Sequence, residues 1–149
     1  MGMAIRPTRD ADLPACAEVF AQAFAGPPYG DRWDRGRAER KLRKLHGIDP
    51  GYCLCAEVSG VLVGAVFCRV DYWWLGDCVV IEELFVHPSY HGRGVGSALV
   101  DAVEAAARRQ GVVGIWLIAN KEARAYDFYQ RRGFHEQPSV AVMLKDLEA

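Results

Sequence analysis

Residues 79–97 read VVIEELFVHPSYHGRGVGS and carry the strongest structural signal in the chain. An apolar strand pattern runs into a turn with glycines at positions 92, 94 and 96, and the turn opens a helix pattern. Glycines lack Cβ atoms, so the backbone N–H groups of such a turn can converge on one concave space. The helix start adds unpaired N–H donors and a partial positive charge. The stretch therefore predicts an anion site suited to phosphate between a strand and a helix.

The spacing of the glycines limits which phosphate ligand the turn can hold. A dinucleotide-binding turn has the spacing Gly-x-Gly-x-x-Gly, but Ser97 stands where its last glycine is required. A P-loop requires a Gly-Lys pair, and none follows here. Taken alone, the turn also fits a tight connection before a helix, with no ligand at all.

The composition is that of an ordinary globular protein. The chain has 149 residues, 51% of them hydrophobic and 25% charged, and a formal net charge of −1, which predicts one domain over residues 1–149. The near-neutral charge gives no overall electrostatic reason to bind nucleic acid, and no apolar run approaches the roughly 20 residues that span a bilayer. The five cysteines, an odd number in apolar segments, indicate reduced thiols in a cytoplasmic protein. No residue spacing predicts a metal site.

The periodicities along the chain predict an α/β domain with one central sheet, in the order β-α-α-β-β-β-α-β-α-β. A hairpin turn is predicted at Ser59-Gly60. Residues 31–44 hold seven basic and three acidic side chains, which predicts a helix at the surface. The predicted strands cover 3–6, 52–58, 61–70 and 78–87, with a buried strand over 112–119 and one or two strands within Phe134–Leu147. The predicted helices cover 13–24, 35–46, the stretch from the glycine turn to about 110, and 123–132. Asp71–Asp77 is predicted to be a loop.

A second motif lies near the end of the chain, where residues 125–134 read AYDFYQRRGF. Together with residues 91–96, HGRGVG, it resembles the GNAT superfamily of acyl-coenzyme A N-acyltransferases. The family signature after a strand is Gln/Arg-x-x-Gly-x-Gly/Ala, and here both glycine positions match while His91 takes the first position. The family's later helix carries Ala-x-x-Phe/Leu-Tyr-x-x-x-Gly-Phe, which the second motif matches throughout.

The resemblance implies a mixed, mostly antiparallel central sheet flanked by helices, and acetyl-CoA as the cofactor. It puts the acetyl carbonyl and the pantetheine arm on the backbone of residues 84–86, where two neighbouring strands part, and the phosphates on the glycine turn. An asparagine often sits seven residues before the family's tyrosine; Glu122 holds that place here and Asn120 lies two residues earlier. The residues implied to bind the coenzyme are Leu84, Phe85, Val86, His91, Gly92, Arg93, Gly94, Val95, Gly96, Ser97, Asn120 and Tyr129.

Acetyl transfer to an amine requires a base, because an alkyl ammonium has a pKa near ~10.4 and must lose a proton before attack. Glu82 and Glu83 are the candidates, since two adjacent glutamates in an apolar strand are unusual. Strand alternation predicts that their side chains point to opposite faces. The resemblance favours Glu82, because the family frequently has a glutamate at this strand position. Solvation at an open part of the sheet and recognition of substrate charge are the alternative roles.

The departing thiolate benefits from a proton, and the resemblance assigns this role to Tyr129. A phenol with a pKa near ~10 can donate a proton to sulfur without being charged at pH 7. Apart from the motif, Tyr129 would be interpreted as an aromatic packed on a short helix. Tyr126, one turn earlier, is interpreted as packing.

Acidic and aromatic residues predict the kind of acceptor. Residues 71–83 hold four carboxylates and no basic side chain, and such a wall suits a cationic amine through charge pairing and cation–π contact. The sequence therefore predicts a small-molecule amine of the aminoglycoside or polyamine type, attacked directly in a ternary complex; a peptide acceptor and a non-catalytic acyl-CoA sensor are the alternatives. A homodimer is a further expectation, since many family members are dimers. The predicted substrate-binding residues are Tyr29, Asp31, Trp33, Trp73, Trp74 and Glu82.

Overall fold

A computed structural model describes residues 2–148 of the chain. These residues form two compact units, one ending at Ile118 and the other starting at Ala119. The elements of the first unit, in chain order, are β1 Met3–Pro7, α1 Leu13–Ala23, α2 Arg35–Ile48, β2 Cys53–Val58, β3 Val61–Trp73, β4 Gly76–Val86, α3 Val95–Arg109 and β5 Gly114–Leu117. The second unit contains α4 Arg124–Arg131.

The strands of the first unit form one sheet in the order β1-β2-β3-β4-β5. Neighbouring strands are antiparallel from β1 to β4, and β5 runs parallel to β4. The β2–β3 turn lies at Ser59 and Gly60, whose φ angles of 51° and 77° suit a tight two-residue hairpin. The predicted mixed, mostly antiparallel sheet and its first hairpin are thereby confirmed.

One face of the sheet is covered by α1 and α2. Phe20 of α1 is 2% exposed and is the centre of an aromatic cluster. Its ring centroid lies 5.0 Å from that of Trp33 and 5.2 Å from that of Phe85 on β4. From α2, Ala38 and Leu42 complete this core, so one apolar stripe anchors the basic helix while most of its charged side chains face outward.

The opposite face of the sheet is covered by α3. Gly64 on β3 makes this contact close, because a Cβ there would lie 2.9 Å from the carbonyl oxygen of Phe85 and 3.3 Å from Val95 Cγ1. Val95 is 2% exposed and is the first residue of α3. The packing of Val95 against Gly64 therefore fixes the start of the helix, and with it the glycine turn that precedes it.

Phe20→Ala is expected to lower the free energy of unfolding by about 3–5 kcal/mol, because truncating a buried aromatic leaves a cavity among rings that cannot close over it. Tyr72→Ala is the matched control, since Tyr72 is 83% exposed and its loss is expected to change stability by about 0.5 kcal/mol or less. Urea denaturation of both variants measures the difference. Equal midpoints for the two variants would contradict the core described above.

Three predicted element boundaries are wrong. The predicted loop over 71–77 is only two residues long, Trp74 and Leu75, because β3 and β4 pair as far as Trp73 and Gly76. The predicted buried strand over 112–119 is shorter, Gly114–Leu117, and is half-exposed because it is the edge of the sheet: Trp116 is 42% exposed.

The third correction concerns the predicted strands within Phe134–Leu147, because residues 134–148 form no strand in the part of the chain described. Their alternating apolar residues gave a local strand signal, but β-propensity is expressed only where a sheet edge pairs with the segment. Without such pairing Val140 and Val142 are 72% and 71% exposed. The last part of the predicted element order is therefore absent.

The cysteines are free thiols, and four of them are buried. Burial raises the pKa of Cys16 to about 12 and that of Cys53 to about 11. Thiols with such pKa values are protonated at neutral pH and poorly reactive. Among residues 2–148, no helix combines the length and the apolar character required to cross a bilayer.

Candidate active site

The candidate site begins at a β-bulge in β4. Phe67 on β3 is opposite Glu83, and the next β3 residue, Cys68, is opposite Ile81, so Glu82 is an extra residue in β4. The pairing of β4 with β5 covers only Cys78 to Ile81 and ends at the same place. Because β4 continues to Val86, its outer edge beyond the bulge has no strand beside it in the first unit.

Backbone groups of β4 point into the opening beyond the bulge. The N–H of His87 donates to the carbonyl of Val63 on β3. Since these groups alternate along a strand, the N–H and C=O groups of Leu84 and Val86 point away from β3, toward the opening. The ring Nε2 of His91 lies 2.8 Å from the Val86 carbonyl oxygen and ties the glycine turn to this edge.

The glycine turn follows directly and has the geometry of an anion site. Gly92 and Gly94 have φ angles of 74° and 81°, a left-handed region that side chains disfavour. A Cβ at either position would meet no other atom within 4 Å, so it would project into open space. Gly94 is the N-cap of α3, no side chain caps the helix, and its first turn carries no acidic residue. The helix start therefore offers N–H donors and positive partial charge to an anion.

Glu83 lies on the face of the sheet that packs against α1 and α2. Its Oε2 is 3.4 Å from Lys41 Nζ of α2, and its side chain is 18% exposed. The same ammonium lies 5.9 Å from the centroid of the Trp33 ring. Burial raises the pKa of Glu83 above the ordinary carboxyl value, and the charge of Lys41 opposes that rise.

Glu82 makes a different ion pair, in which Arg69 Nε donates to Oε1 over 2.6 Å. Arg69 lies two residues after Phe67 on β3 and hence on the same face, the face to which Glu83 also belongs. The prediction that the two glutamates point to opposite faces is therefore wrong. The bulge breaks the alternation on which it depended, and the charge of Glu82 contributes to the raised pKa of Glu83.

The connection between α1 and α2 brings three predicted acceptor residues to the same region. Trp33 Nε1 donates to Asp31 Oδ2 over 3.1 Å, and the Tyr29 ring packs edge-on against Phe24. Burial and the nearby charges of Glu83 and Asp31 raise the pKa of Tyr29. Tyr29, Asp31 and Trp33 thus lie around Glu83, as one group of aromatic and acidic side chains.

Two charged residues of this site are not among the predicted ones. The sequence pattern marks Lys41 only as part of a basic surface helix, although its position beside the apolar stripe of Ala38 and Leu42 is a signal that it lies near the core. Arg69 had no signal in the sequence, because its pairing with Glu82 depends on the bulge.

Trp73 and Trp74 lie elsewhere, at the tip of the β3–β4 hairpin. They are 55% and 82% exposed. Gly76, which follows the tip, is six residues before Glu82 along β4, a separation of about 20 Å in an extended strand. The structure does not bring these two predicted acceptor residues to the glutamates.

The second unit contains the other predicted site residues. Tyr129 is 9% exposed, and its ring centroid lies 5.3 Å from Phe128 and 5.5 Å from Phe134. Asn120 Oδ1 accepts a hydrogen bond from the N–H of Glu122 over 2.8 Å. Asn120 thereby shapes the turn that leads into α4.

Comparisons with known proteins find relatives that match almost the whole length of this chain. A curated acetyltransferase of Sodalis glossinidius is 33% identical, with 97% of this chain and 96% of that protein covered. An uncharacterized N-acetyltransferase of Methanocaldococcus jannaschii is 35% identical over 95% of this chain, which spans 64% of that relative's length. A solved structure of an aminoglycoside N-acetyltransferase in complex with coenzyme A has the same fold, with a TM-score of 0.74, 20% identity, and 99% of this chain and 96% of that one covered.

The family assignment rests on a match to the sequence pattern of a whole family. The sequence pattern of the acetyltransferase (GNAT) family covers residues 17–134, from α1 through the bulged strand and the glycine turn to the end of the second motif. With the mixed sheet, the parting strands and the glycine turn in place, the chain belongs to the GNAT family of acetyltransferases.

Proposed function

We propose that the protein is an N-acetyltransferase that transfers an acetyl group from acetyl-CoA to a primary amine of a small cationic molecule. One observation carries the proposal. The glycine turn, the unpaired edge of β4 and a half-buried carboxylate pair lie along one continuous stretch of chain. An anion site, free backbone groups and a base are what acetyl transfer from a phosphate-bearing thioester requires.

The glycine turn fits the pyrophosphate of coenzyme A. Side chains are missing at Gly92 and Gly94, where they would occupy the ligand's space, and the N-terminus of α3 favours negative charge. The outward N–H and C=O groups of Leu84 and the outward N–H of Val86 suit the amide-bearing pantetheine arm, and an N–H there can stabilise the oxyanion that forms on the acetyl carbonyl. The coenzyme supplies an activated thioester; the chain binds and orients it.

The acceptor must become neutral before it attacks, and Glu83 is the better placed of the two candidate bases. Burial raises its pKa above the ordinary carboxyl value, so it binds a proton more readily than an ordinary carboxylate. Glu82 is held in an ion pair with Arg69, which favours a role in positioning or in binding substrate charge. The proton leaves the acceptor nitrogen directly or through a water molecule.

The acceptor class is supported by the residues around Glu83. Asp31 and Glu83 offer negative charge, and Trp33 offers an aromatic face that already holds the ammonium of Lys41 at 5.9 Å. An ammonium on a small molecule can make the same contacts. The aminoglycoside N-acetyltransferase with the same fold supports this class as well.

Release of free thiol from acetyl-CoA with a panel of amines tests the proposal. We expect release with polyamines or aminoglycosides and weak release with peptides. Release with peptides alone would indicate a peptide N-acetyltransferase. Coenzyme A binding without thiol release for any amine would indicate an acyl-CoA sensor.

Tyr129→Phe is expected to lower kcat by about 10²-fold if the phenol protonates the leaving thiolate, with little change in coenzyme affinity. The second unit offers a matched control on the same helix. Tyr126→Phe removes a hydroxyl that accepts a hydrogen bond from Gln130 Nε2, and its kcat is expected to be nearly unchanged. Steady-state kinetics and calorimetry with coenzyme A measure both quantities. An undiminished rate in Tyr129→Phe would exclude the phenol as the acid.

A further inference from the structure

The side chain of Lys41 occupies the place that the proposed function gives to the amine of the acceptor. Its Nζ lies 3.4 Å from the Glu83 carboxylate and 5.9 Å from the Trp33 ring centroid. These are a carboxylate and an aromatic face, the two groups that recognise an alkyl ammonium. From this juxtaposition we infer that Lys41 is itself a substrate, and that the enzyme acetylates it with acetyl-CoA. The inference rests on the proposed function, since it uses the same base and the same thioester.

The position of Lys41 on α2 directs its amine to the base. Ala38 and Leu42 are fully buried, so this face of the helix is anchored on the sheet and the Lys41 stem starts beside the core. The side chain is nevertheless 39% exposed, which leaves it free to change rotamer. Glu83 immediately precedes Leu84, whose backbone groups point into the opening proposed for the thioester. The lysine amine and the proposed acetyl site are therefore neighbours of the same carboxylate.

The reaction balances with the groups named. The Lys41 ammonium gives one proton to Glu83, directly or through water, and the neutral nitrogen attacks the thioester carbonyl carbon. A C–N amide bond forms and the C–S bond breaks. The sulfur of coenzyme A takes up the second proton that the amine nitrogen loses as the amide forms, so coenzyme A leaves as the thiol. Glu83 then releases its proton to solvent, and each turnover yields one free proton. The products are Nε-acetyl-Lys41 and coenzyme A, and no oxidant or reductant is involved.

The other lysines, Lys44, Lys121 and Lys145, are more exposed than Lys41. Lys44 lies almost one turn later on α2 and is exposed to solvent. Lys121 pairs with Glu136 at the surface of the second unit, over 2.9 Å, and is 74% exposed. Lys44 can react with acetyl-CoA only as an exposed surface amine. Lys44 is therefore the internal control for unassisted acetylation.

Acetylation changes the charge of the acceptor site. An acetylated lysine carries no charge, so the ion pair with Glu83 is lost. The carboxylate and the Trp33 ring then become available to the ammonium of an incoming acceptor. Modification of Lys41 would thus remove an internal competitor of the small-molecule substrate.

The test incubates the full chain with acetyl-CoA and no added amine, and follows thiol release and the site of acetylation. Cleavage after glutamate yields residues 40–57 as one peptide, because Glu39 and Glu57 flank it, and this peptide contains both Lys41 and Lys44. Tandem mass spectrometry then compares the two lysines in the same molecule. We expect stoichiometric thiol release, acetylation of Lys41 at least about 10-fold faster than of Lys44, and a first-order rate that does not depend on protein concentration.

Variants separate this inference from the proposed function. Lys41→Arg keeps the positive charge but lacks a primary amine, so thiol release without added amine is expected to stop, whereas Lys44→Arg is expected to leave it unchanged. Glu83→Gln is expected to slow acetylation of Lys41 and not of Lys44. Equal acetylation of the two lysines, in an enzyme that acetylates small amines, overturns the inference alone. If no amine causes thiol release and Lys41 is not acetylated, both this inference and the proposed function are wrong.

Discussion

Gly94→Val is expected to weaken the binding of coenzyme A by about 100-fold or more, which corresponds to about 2.7 kcal/mol. Gly94 has a φ of 81° and is the N-cap of α3, and apart from the glycine and its two chain neighbours no described atom lies within 4 Å of the place where a Cβ would be. A valine there would project its side chain into the space proposed for the pyrophosphate. It would also strain the backbone whose N–H groups face that space. Isothermal titration calorimetry measures the loss.

A control at the other end of the same helix separates ligand exclusion from backbone strain. Gly111 has a φ of 70°, and a Cβ there also meets nothing within 4 Å. Gly111→Val and Gly94→Val are therefore both expected to lower the free energy of unfolding by about 1–2 kcal/mol. Only Gly94→Val is expected to weaken coenzyme binding. If both variants bound coenzyme A equally well, the glycine turn would not be the phosphate site.

The glycine turn could be predicted because its signal is local. Glycines at 92 and 94 stand between an apolar strand and an amphipathic helix, and the left-handed φ angles at both are the conformation for which glycine is selected. The same holds for the hairpin at Ser59 and Gly60, where turn chemistry alone determines the conformation. The conformation of such turns depends on a few consecutive residues, so the sequence alone is enough to predict it.

The bulge at Glu82 could not be predicted, because it is a property of two strands. The β4 sequence contains no signal for a bulge, and only the register with Phe67 and Cys68 on β3 reveals the extra residue. The pairings with Arg69 and Lys41 follow from that register and from the position of α2. The strand prediction for the residues after 133 is wrong for the opposite reason. The local strand signal is present in the sequence, but a strand also requires a neighbouring strand to pair with.

Glu83→Gln is expected to lower kcat/KM for the acceptor by about 10²–10⁴-fold, because an amide of the same shape cannot take the ammonium proton. The pH dependence of activity tests more specifically whether Glu83 is the base. A base must be ionised, so activity falls as pH drops through its pKa, and burial raises the pKa of Glu83. The acidic limb of the wild-type profile is therefore expected at higher pH than for an ordinary glutamate, and it should disappear in Glu83→Gln.

Glu82→Gln is the matched comparison, since it changes the neighbouring residue in the same bulge. It weakens an ion pair with Arg69 in which both side chains are 31% exposed, so solvent screens much of the lost interaction. We expect a change in the acceptor KM with the acidic limb retained. If Glu82→Gln abolished that limb and Glu83→Gln kept it, the base would be Glu82 and the Lys41–Glu83 pair would serve only to hold α2 against the sheet. Because the bulge places both carboxylates on one face of the sheet, either one could reach the acceptor. The kinetics of the two variants therefore decide which glutamate is the base.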